Sequence, residues 1–284
     1  MDMLSQRYAL VGGQMSCTAL RPLSPREPLI LALHGGPGLS GDYLQPFLAR
    51  LAETVSLNAA LLDLPNHGRS VVERDSLPLT YPGCLHYLDS AIRELSPKCS
   101  EIILLGQSFG ARVALDLLAV SSLDFRGAIL TGMPVRFESS MEFNAKSPPL
   151  EPWTGGADVE GVFIRNWRKI LPLYTAEPLS VEVFEKLASG TRWAGNEKMA
   201  DDVPSLESSF SRLMRRPVAT RILFVQGGKD LVLPDGNDEE LQRVIPTAQL
   251  CEISDAGHFV MLEKPDASLS LMADFIRGLG APGA

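Results

Sequence analysis

Residues 101–120 have the sequence EIILLGQSFGARVALDLLAV, in which the pentapeptide Gly106-Gln107-Ser108-Phe109-Gly110 separates two apolar segments. The first segment has the length of a buried β-strand, and the second has the length of a helix. A strand that turns directly into a helix must bend sharply, and the flanking glycines permit this bend because they lack a side chain. The pattern therefore predicts a strained turn that exposes the Ser108 hydroxyl.

The chain on both sides of this turn alternates short apolar runs with helical patterns, which is typical of a mostly parallel sheet covered by helices. Strands are predicted at residues 29–33, 59–62, 101–105, 128–130, 221–225 and 248–253. Helices are predicted at residues 81–95, 111–120, 162–170, 180–187, 239–244 and 265–279. The sequence therefore predicts one large domain of the α/β class.

The segment of residues 134–217 interrupts this alternation. Prolines recur along it, and it contains all the tryptophans of the chain, Trp153, Trp167 and Trp193. Its apolar residues suit helices, and no strand pattern occurs. We predict a core domain made of residues 1–133 and 218–284, with a helical cap inserted at residues 134–217.

Composition and charge restrict the classes of partner. Of the 284 residues, 45% are hydrophobic, which is enough to bury a full core, and the formal net charge is -8. Binding to nucleic acid needs clustered Lys and Arg side chains that neutralise phosphates. The nearest approach to such a cluster is Arg212, Arg215 and Arg216, which we interpret as a solvated helix face. The sequence therefore predicts no nucleic-acid partner.

The cysteines and the apolar pattern indicate the compartment. Cys17, Cys84, Cys99 and Cys251 are not spaced as CxxC pairs, so they are interpreted as reduced, mostly buried thiols. The first ten residues lack the apolar run of a signal peptide, and no apolar stretch approaches the roughly 20 residues that span a bilayer. We expect a soluble, cytoplasmic monomer or homodimer, without a membrane partner and without a metal or organic cofactor.

A serine hydroxyl needs a base to become an effective nucleophile, and His258 is the best-placed histidine. It follows Gly257 directly after the last predicted strand, where a loop side chain can reach the carboxyl end of the sheet. His86 lies within a predicted helix. His34 and His67 lie in loops near the predicted site, where we expect them to brace the loops rather than to act in catalysis.

The base needs a carboxylate that fixes its tautomer and stabilises its protonated form. Asp230 is the preferred candidate because it follows the strand at residues 221–225 and lies between Ser108 and His258 in the chain. Asp255 is a rival because it is close to His258 in sequence. Asp124 has the context of a turn residue.

Acyl transfer to Ser108 would create an oxyanion, which preorganised N–H donors must stabilise. The residue after the serine, Phe109, is one candidate donor. The loop His34-Gly35-Gly36-Pro37-Gly38 follows the first strong strand, and its glycines allow a substrate to approach the backbone. Gly36 is the second candidate donor, and Gly35 is an alternative donor and substrate contact.

These motifs together resemble those of the α/β-hydrolase superfamily over residues 29–279. The matching stretches are HGGPG at 34–38, DLPNHGRS at 63–70, GQSFG at 106–110, GGKDLVLP at 227–234 and GHF at 257–259. The resemblance implies an α/β-hydrolase fold with a helical cap, and a triad of Ser108, Asp230 and His258 that cleaves an acyl bond through an acyl-enzyme. It also implies a structural role for His67, Gly68 and Ser70.

The HGGPG stretch, together with Asn166-Trp167 and residues 171–174, is similar to the proline iminopeptidase branch of this superfamily. That branch binds the substrate ammonium through cap glutamates. The candidates here are Glu138, Glu142, Glu160, Glu177, Glu182, Glu185, Glu197 and Glu207. The chain differs from the branch at Leu64, Gln107 and Phe109, where Gln, Gly and Trp are usual. These differences favour a small ester, thioester or amide as the substrate.

Alternative functions use the same residues in other ways. An acyltransferase, a lyase or a carbon–carbon bond hydrolase could use the same triad, and a ligand receptor could retain the fold without catalysis. Dehalogenases and epoxide hydrolases carry an aspartate where this chain has Ser108. Whichever of the alternative functions applies, the cap would shape the pocket. The candidate lining residues in the cap are Trp153, Phe163, Trp167 and Tyr174. Of these, Trp167 and Tyr174 are the proposed substrate contacts.

Overall fold

An eight-stranded sheet runs through the residues that the computed structural model describes, which are 5–72, 79–152, 158–188, 198–199, 202–216 and 220–280. The strands are β1 (Gln6–Leu10), β2 (Met15–Ala19), β3 (Leu29–Leu33), β4 (Asn58–Leu62), β5 (Ile102–Gln107), β6 (Gly127–Thr131), β7 (Arg221–Gly227) and β8 (Gln249–Ile253). Their order across the sheet is β1-β2-β4-β3-β5-β6-β7-β8.

Strands β3 to β8 are parallel to one another. Strands β1 and β2 form an antiparallel hairpin, and β2 also pairs with β4 in the antiparallel direction. The central strands β3 to β6 are buried along their whole length. Parallel strands that are covered on both faces have nearly continuous apolar sequences. This explains the sequences LILAL in β3 and GAILT in β6.

Helices cover both faces of the sheet. They are α1 (Gln45–Val55), α2 (Tyr81–Leu95), α3 (Phe109–Val120), α4 (Met141–Lys146), α5 (Val159–Ile170), α6 (Val181–Ala188), α7 (Leu206–Leu213), α8 (Asn237–Val244), α9 (Val260–Glu263) and α10 (Pro265–Gly278). Side chains from α2, α3 and α8 pack in one core, and side chains from α1, α5 and α10 pack in a second core. The fold is therefore a three-layer arrangement of helices, sheet and helices.

The prediction of an α/β fold with a mostly parallel sheet is confirmed, and every predicted strand and helix is present with small shifts of its ends. The sequence analysis did not predict the β1–β2 hairpin or helices α1, α4, α7 and α9. Between β6 and β7 the described residues form α4 to α7 and a short 3₁₀ helix, Leu171–Tyr174, and they include no strand. We refer to the chain between β6 and β7 as the insertion.

Arg112, which is 1% exposed, joins the insertion to the core. Its guanidinium contacts Asp116 (Nε to Oδ2, 3.2 Å) and the carbonyl oxygen of Val135 (3.2 Å), and it also donates to the carbonyl oxygen of Pro204. The Asp116 carboxylate accepts a second hydrogen bond from the hydroxyl of Tyr81 at 2.6 Å. A buried ion pair of this kind is destabilising when only one partner is removed, because the other charge stays buried.

Replacing Arg112 with Met is expected to lower the free energy of unfolding by about 3–5 kcal/mol, because Asp116 would lose its buried counter-ion. Arg93→Met is the control, because Arg93 pairs with Asp89 at the surface and its side chain is 45% exposed. The control should cost less than about 1 kcal/mol. Urea unfolding followed by circular dichroism measures both values, and equal midpoints for the two variants would contradict the prediction.

Candidate active site

The candidate site residues lie in the loops that follow β3, β5, β7 and β8. Gly36 follows β3, Ser108 follows β5, Asp230 follows β7 and His258 follows β8. Because these strands are parallel, their carboxyl ends meet at one edge of the sheet, which is where ligands bind in open α/β sheets. The topology therefore brings residues that are far apart in sequence to one place.

Ser108 occupies the tight turn between β5 and α3. Its backbone angles are φ 53° and ψ -120°, a strained conformation for a residue with a side chain. The turn leaves no room beside it, because a Cβ atom on Gly106 would lie 2.4 Å from Ala111 Cα and one on Gly110 would lie 2.3 Å from the carbonyl oxygen of His34. The two glycines of the pentapeptide are thus required by close packing, as the sequence predicts.

His258 lies next to Ser108 and is 1% exposed. Its Nε2 atom is 2.8 Å from Ser108 Oγ, and its Nδ1 atom is 2.7 Å from Asp230 Oδ2. A carboxylate only accepts hydrogen bonds, so Nδ1 carries the proton that it donates to Asp230. Nε2 of the neutral ring is therefore an acceptor and can receive the hydroxyl proton of Ser108.

The structure brings Asp230, and not Asp255, to His258. The Asp230 side chain is 1% exposed, and its second oxygen, Oδ1, accepts a hydrogen bond from the N–H of Val232 at 2.9 Å. Asp255 is exposed and forms an ion pair with Lys264 at 2.6 Å. The hydrogen bond from Lys264 lowers the pKa of Asp255. Asp124 is also exposed, and it pairs with Arg216 at 3.0 Å.

His34 braces two loops at the edge of this site. Its Nδ1–H donates to the carbonyl oxygen of Gly35 at 2.7 Å, and its Nε2 accepts from the N–H of Leu64 at 3.1 Å. Burial lowers the pKa of His34, which is consistent with the neutral ring that these two bonds require. His67 makes an equivalent bridge, since its Nε2 accepts from the N–H of Gly38 at 2.7 Å.

The two candidate oxyanion donors lie on either side of Ser108. The N–H of Phe109 is at the first position of α3, where a helix provides no backbone partner. Gly36 has a φ of 137°, a conformation that favours glycine. Among the residues that the structure describes, neither N–H is paired with an acceptor. Both groups are thus free to bind an oxygen atom of a ligand.

The N–H of the alternative donor, Gly35, has a hydrogen-bond partner within the protein. Its N–H donates to the hydroxyl of Tyr43 at 2.9 Å, and that hydroxyl donates to Gln107 Oε1 at 2.7 Å. Gly35 is also not among the residues that line the cavity beside Ser108. The N–H of Gly35 is therefore engaged with Tyr43, which the sequence analysis did not identify, and Gly36 remains the preferred second donor. The substrate contact at Gly35 stays a prediction.

A cavity of about 290 Å³ opens beside Ser108 and His258. Its remaining described lining is mainly apolar and consists of Gly36, Pro37, Leu39, Gln107, Phe163, Trp167, Ile170, Tyr174 and Phe259. Trp167 and Tyr174 thus lie where the sequence analysis expected substrate contacts. Trp153 lies outside the described residues.

Tyr174 links the cavity wall to His258. Its ring is perpendicular to that of His258, with the ring centres 5.3 Å apart, and it is also perpendicular to that of Trp167. Its carbonyl oxygen accepts a hydrogen bond from the backbone N–H of His258 at 2.7 Å. Burial and the nearby Asp230 carboxylate raise the pKa of Tyr174. The Tyr174 hydroxyl therefore stays protonated at neutral pH.

The described part of the chain has neither a cluster of metal-ligating side chains nor a membrane-spanning helix. No group of three or more His, Cys, Asp or Glu side chains is arranged to hold a metal ion there. No helix in the same residues has the length and apolar character needed to cross a membrane.

The chain is similar to known hydrolases over most of its length. Proline iminopeptidase PfmaB of Pestalotiopsis fici is 25% identical over 265 residues, which cover 87% of this chain and 92% of that protein. A pimeloyl-acyl-carrier-protein methyl ester esterase of Neisseria meningitidis is 24% identical over 255 residues, which cover 88% and 94%. The solved structure of esterase RhEst1 from Rhodococcus sp. ECU1013 has a TM-score of 0.73 at 21% identity, and the match covers 98% of this chain and 100% of that chain.

A model of the alpha/beta hydrolase family matches residues 30–270, which is most of the chain. The matched region contains all eight candidate site residues, from Gly35 to His258. The order of the strands and the position of the serine turn agree with this family. The chain therefore belongs to the alpha/beta hydrolase family, and it is an enzyme of the hydrolase class.

Proposed function

We propose that the protein is a serine esterase that hydrolyses a small, uncharged carboxylic ester through an acyl-enzyme. The observation that carries this proposal is the unbroken series of hydrogen bonds from Asp230 through His258 to Ser108, which ends at an apolar cavity. A nucleophile, a base and an orienting carboxylate in this arrangement are the parts that acyl transfer requires.

In the first half of the reaction, Ser108 Oγ attacks the ester carbonyl carbon while its proton passes to Nε2 of His258. The carbonyl oxygen becomes an oxyanion, which the N–H groups of Gly36 and Phe109 stabilise. The carbonyl then re-forms, the bond to the alcohol oxygen breaks, and the leaving alcohol takes the proton from His258. Asp230 stabilises the protonated imidazole throughout.

In the second half, water replaces the alcohol. His258 Nε2 accepts one proton from the water as its oxygen attacks the acyl-enzyme carbonyl, and the same N–H groups hold the second oxyanion. Collapse of this intermediate breaks the bond to Ser108 Oγ, which recovers its proton from His258. The products are one carboxylic acid and one alcohol, and the enzyme returns to its starting state.

An ester is favoured over a peptide with a free N-terminus because the described lining of the cavity contains no carboxylate. A buried ammonium group needs an opposite charge. Most of the candidate cap glutamates pair instead with a lysine or an arginine: Glu138 with Arg136, Glu142 with Lys146, Glu182 with Lys186, Glu185 with Arg168 and Glu207 with Arg243. Glu197 lies outside the described residues.

The size and lining of the cavity favour a short, apolar substrate. A cavity of roughly 150 Å³ is large enough for benzene, and the cavity here has about 290 Å³. An ester with a short acyl chain and a single ring as its alcohol therefore matches the available space. Leu39, Phe163 and Phe259 would contact its apolar parts.

The insertion is proposed to act as the cap of this site. Phe163, Trp167, Ile170 and Tyr174, which all belong to the insertion, are among the residues that line the cavity. Phe163 packs so closely on the loop after β3 that a Cβ atom on Gly38 would lie 2.3 Å from its ring. These contacts support a cap that excludes bulk water from the reacting atoms.

The proposal predicts turnover of 4-nitrophenyl butyrate and a strong preference for it over mono-4-nitrophenyl succinate. The two acyl chains have similar length, but the succinate carries a carboxylate that would have to enter the apolar cavity. We expect kcat/KM to be at least about 100-fold lower for the succinate, since burial of an uncompensated charge costs several kcal/mol. Release of 4-nitrophenol measures both rates.

Prolyl 4-nitroanilide and an added alcohol complete the experiment. A higher kcat/KM for the prolyl compound than for the butyrate would identify an aminopeptidase instead. Formation of a new butyrate ester faster than butyric acid would identify an acyltransferase. Failure of the folded protein to hydrolyse any neutral ester in the panel would contradict the proposed function.

A further inference from the structure

Glu263 is the last residue of α9 and lies five residues after His258 in the chain. Its half-buried carboxylate accepts hydrogen bonds from three backbone N–H groups. Oε2 accepts from Gly257 at 3.0 Å and from Ala176 at 2.7 Å, and Oε1 accepts from Phe259 at 3.1 Å. Hydrogen bonds to an ionised carboxylate are about twice as strong as those between neutral groups.

Two of these bonds flank the base. Gly257 and Phe259 are the residues on either side of His258, so one carboxylate accepts from the N–H groups of the residues before and after it. The position of the imidazole ring between Ser108 and Asp230 depends on this backbone, because only two rotatable bonds lie between the Cα atom and the ring.

The third bond reaches the insertion. Ala176 lies just after the 3₁₀ helix that carries Tyr174, and the His258 N–H donates in the opposite direction to the Tyr174 carbonyl oxygen at 2.7 Å. The two segments also approach closely, since a Cβ atom on Gly257 would lie 2.8 Å from Thr175 Cα. The loop that carries the base and residues 174–176 of the insertion are therefore tied together from both sides.

We propose that Glu263 is a positioning residue that holds the backbone of His258 against residues 174–176. The imidazole of His258 is then aligned with Ser108 only when residues 174–176 are in contact with the His258 loop. The proposal rests on the esterase function proposed above. Its carboxylate does not touch the reacting atoms. Its effect passes through the backbone to His258 Nε2, whose 2.8 Å contact with Ser108 Oγ is needed for proton transfer.

Glu263→Gln tests this role with almost no change in shape. A glutamine has one acceptor oxygen and one NH₂ group, so at least one of the three N–H groups would face a donor instead of an acceptor. We expect kcat for 4-nitrophenyl butyrate to fall about 10- to 100-fold, because a misplacement of about 1 Å can cost that much. KM should stay within about threefold, since the apolar cavity wall is retained.

Gly257→Ala is a second variant that leaves Glu263 unchanged. Its new methyl group would push residues 174–176 away from the base, and the same loss of kcat is expected. Asp255→Asn is the control, because it breaks the adjacent ion pair with Lys264 and leaves the three bonds to Glu263 in place. The control should retain kcat within about twofold of the wild type.

The rates are expressed per active site, titrated with a fluorophosphonate, at a temperature at which every variant is folded. A purely structural role for Glu263 would lower the melting temperature and leave kcat per titrated site equal to that of Asp255→Asn, which would overturn the inference. An inactive wild type would instead contradict the esterase function itself. The two failures are therefore distinguishable.

Discussion

Ser108→Ala is expected to lower kcat for a neutral ester by about 10⁵- to 10⁶-fold, because the acyl-enzyme can no longer form. The remaining activity would come from the oxyanion donors and the cavity alone. The backbone of the turn accommodates alanine as well as serine, since both residues carry a Cβ atom. The fold and the apolar cavity should therefore persist, and substrate binding should change little.

Covalent labelling tests directly whether Ser108 is the nucleophile. A fluorophosphonate should add one label to the wild type and none to Ser108→Ala, as read by intact mass. Ser122→Ala is the control, because Ser122 is exposed on the surface, and it should label like the wild type. Equal labelling of Ser108→Ala and the wild type would show that another residue is the nucleophile.

Asp230→Asn is expected to lower kcat by about 10⁴-fold. The N–H of Val232 donates to Oδ1 of Asp230, so the amide oxygen of asparagine would take that position. The amide NH₂ would then face Nδ1 of His258 and require it to be an acceptor. The ring would carry its proton on Nε2, where it cannot accept the proton of Ser108.

Asp255→Asn separates this effect from a general loss of charge near the base. Asp255 pairs with Lys264 and does not contact His258, so this variant should retain kcat within about twofold. The rates should be measured at a pH at which the wild type is fully active. A larger loss in Asp255→Asn than in Asp230→Asn would reverse the assignment of the two carboxylates.

The sheet was predictable where its strands are buried on both faces. Strands such as β3 and β5 are continuous apolar runs, and the glycine-rich loops after them mark their ends. The hairpin was missed because β1 lies at the edge of the sheet and is largely exposed, so the polar residues Gln6 and Arg7 occupy positions that are apolar in a buried strand. Helix α1 did carry a signal, because Phe47, Leu48 and Leu51 form a buried stripe.

The candidate site was predictable because a parallel sheet brings the loops after its strands together. The sequence already favoured Asp230 over Asp255, because Asp230 follows a strand and lies between Ser108 and His258 in the chain. The structure adds the 2.7 Å contact between Asp230 and His258. The roles of Tyr43 and Glu263 each depend on one contact with a residue far away in sequence, Gln107 for Tyr43 and Ala176 for Glu263. No local pattern marks either residue, so the sequence analysis passed over both.

The strained backbone of Ser108 also has an evolutionary consequence. A conformation of this kind costs on the order of 1–3 kcal/mol in a residue with a side chain, and glycine adopts positive φ values with little strain. Selection for stability and selection for catalysis therefore act in opposite directions at this one position. Ser108→Gly would relieve this strain and retain the apolar cavity, so a single substitution separates the proposed catalyst from a more stable protein that only binds its ligand.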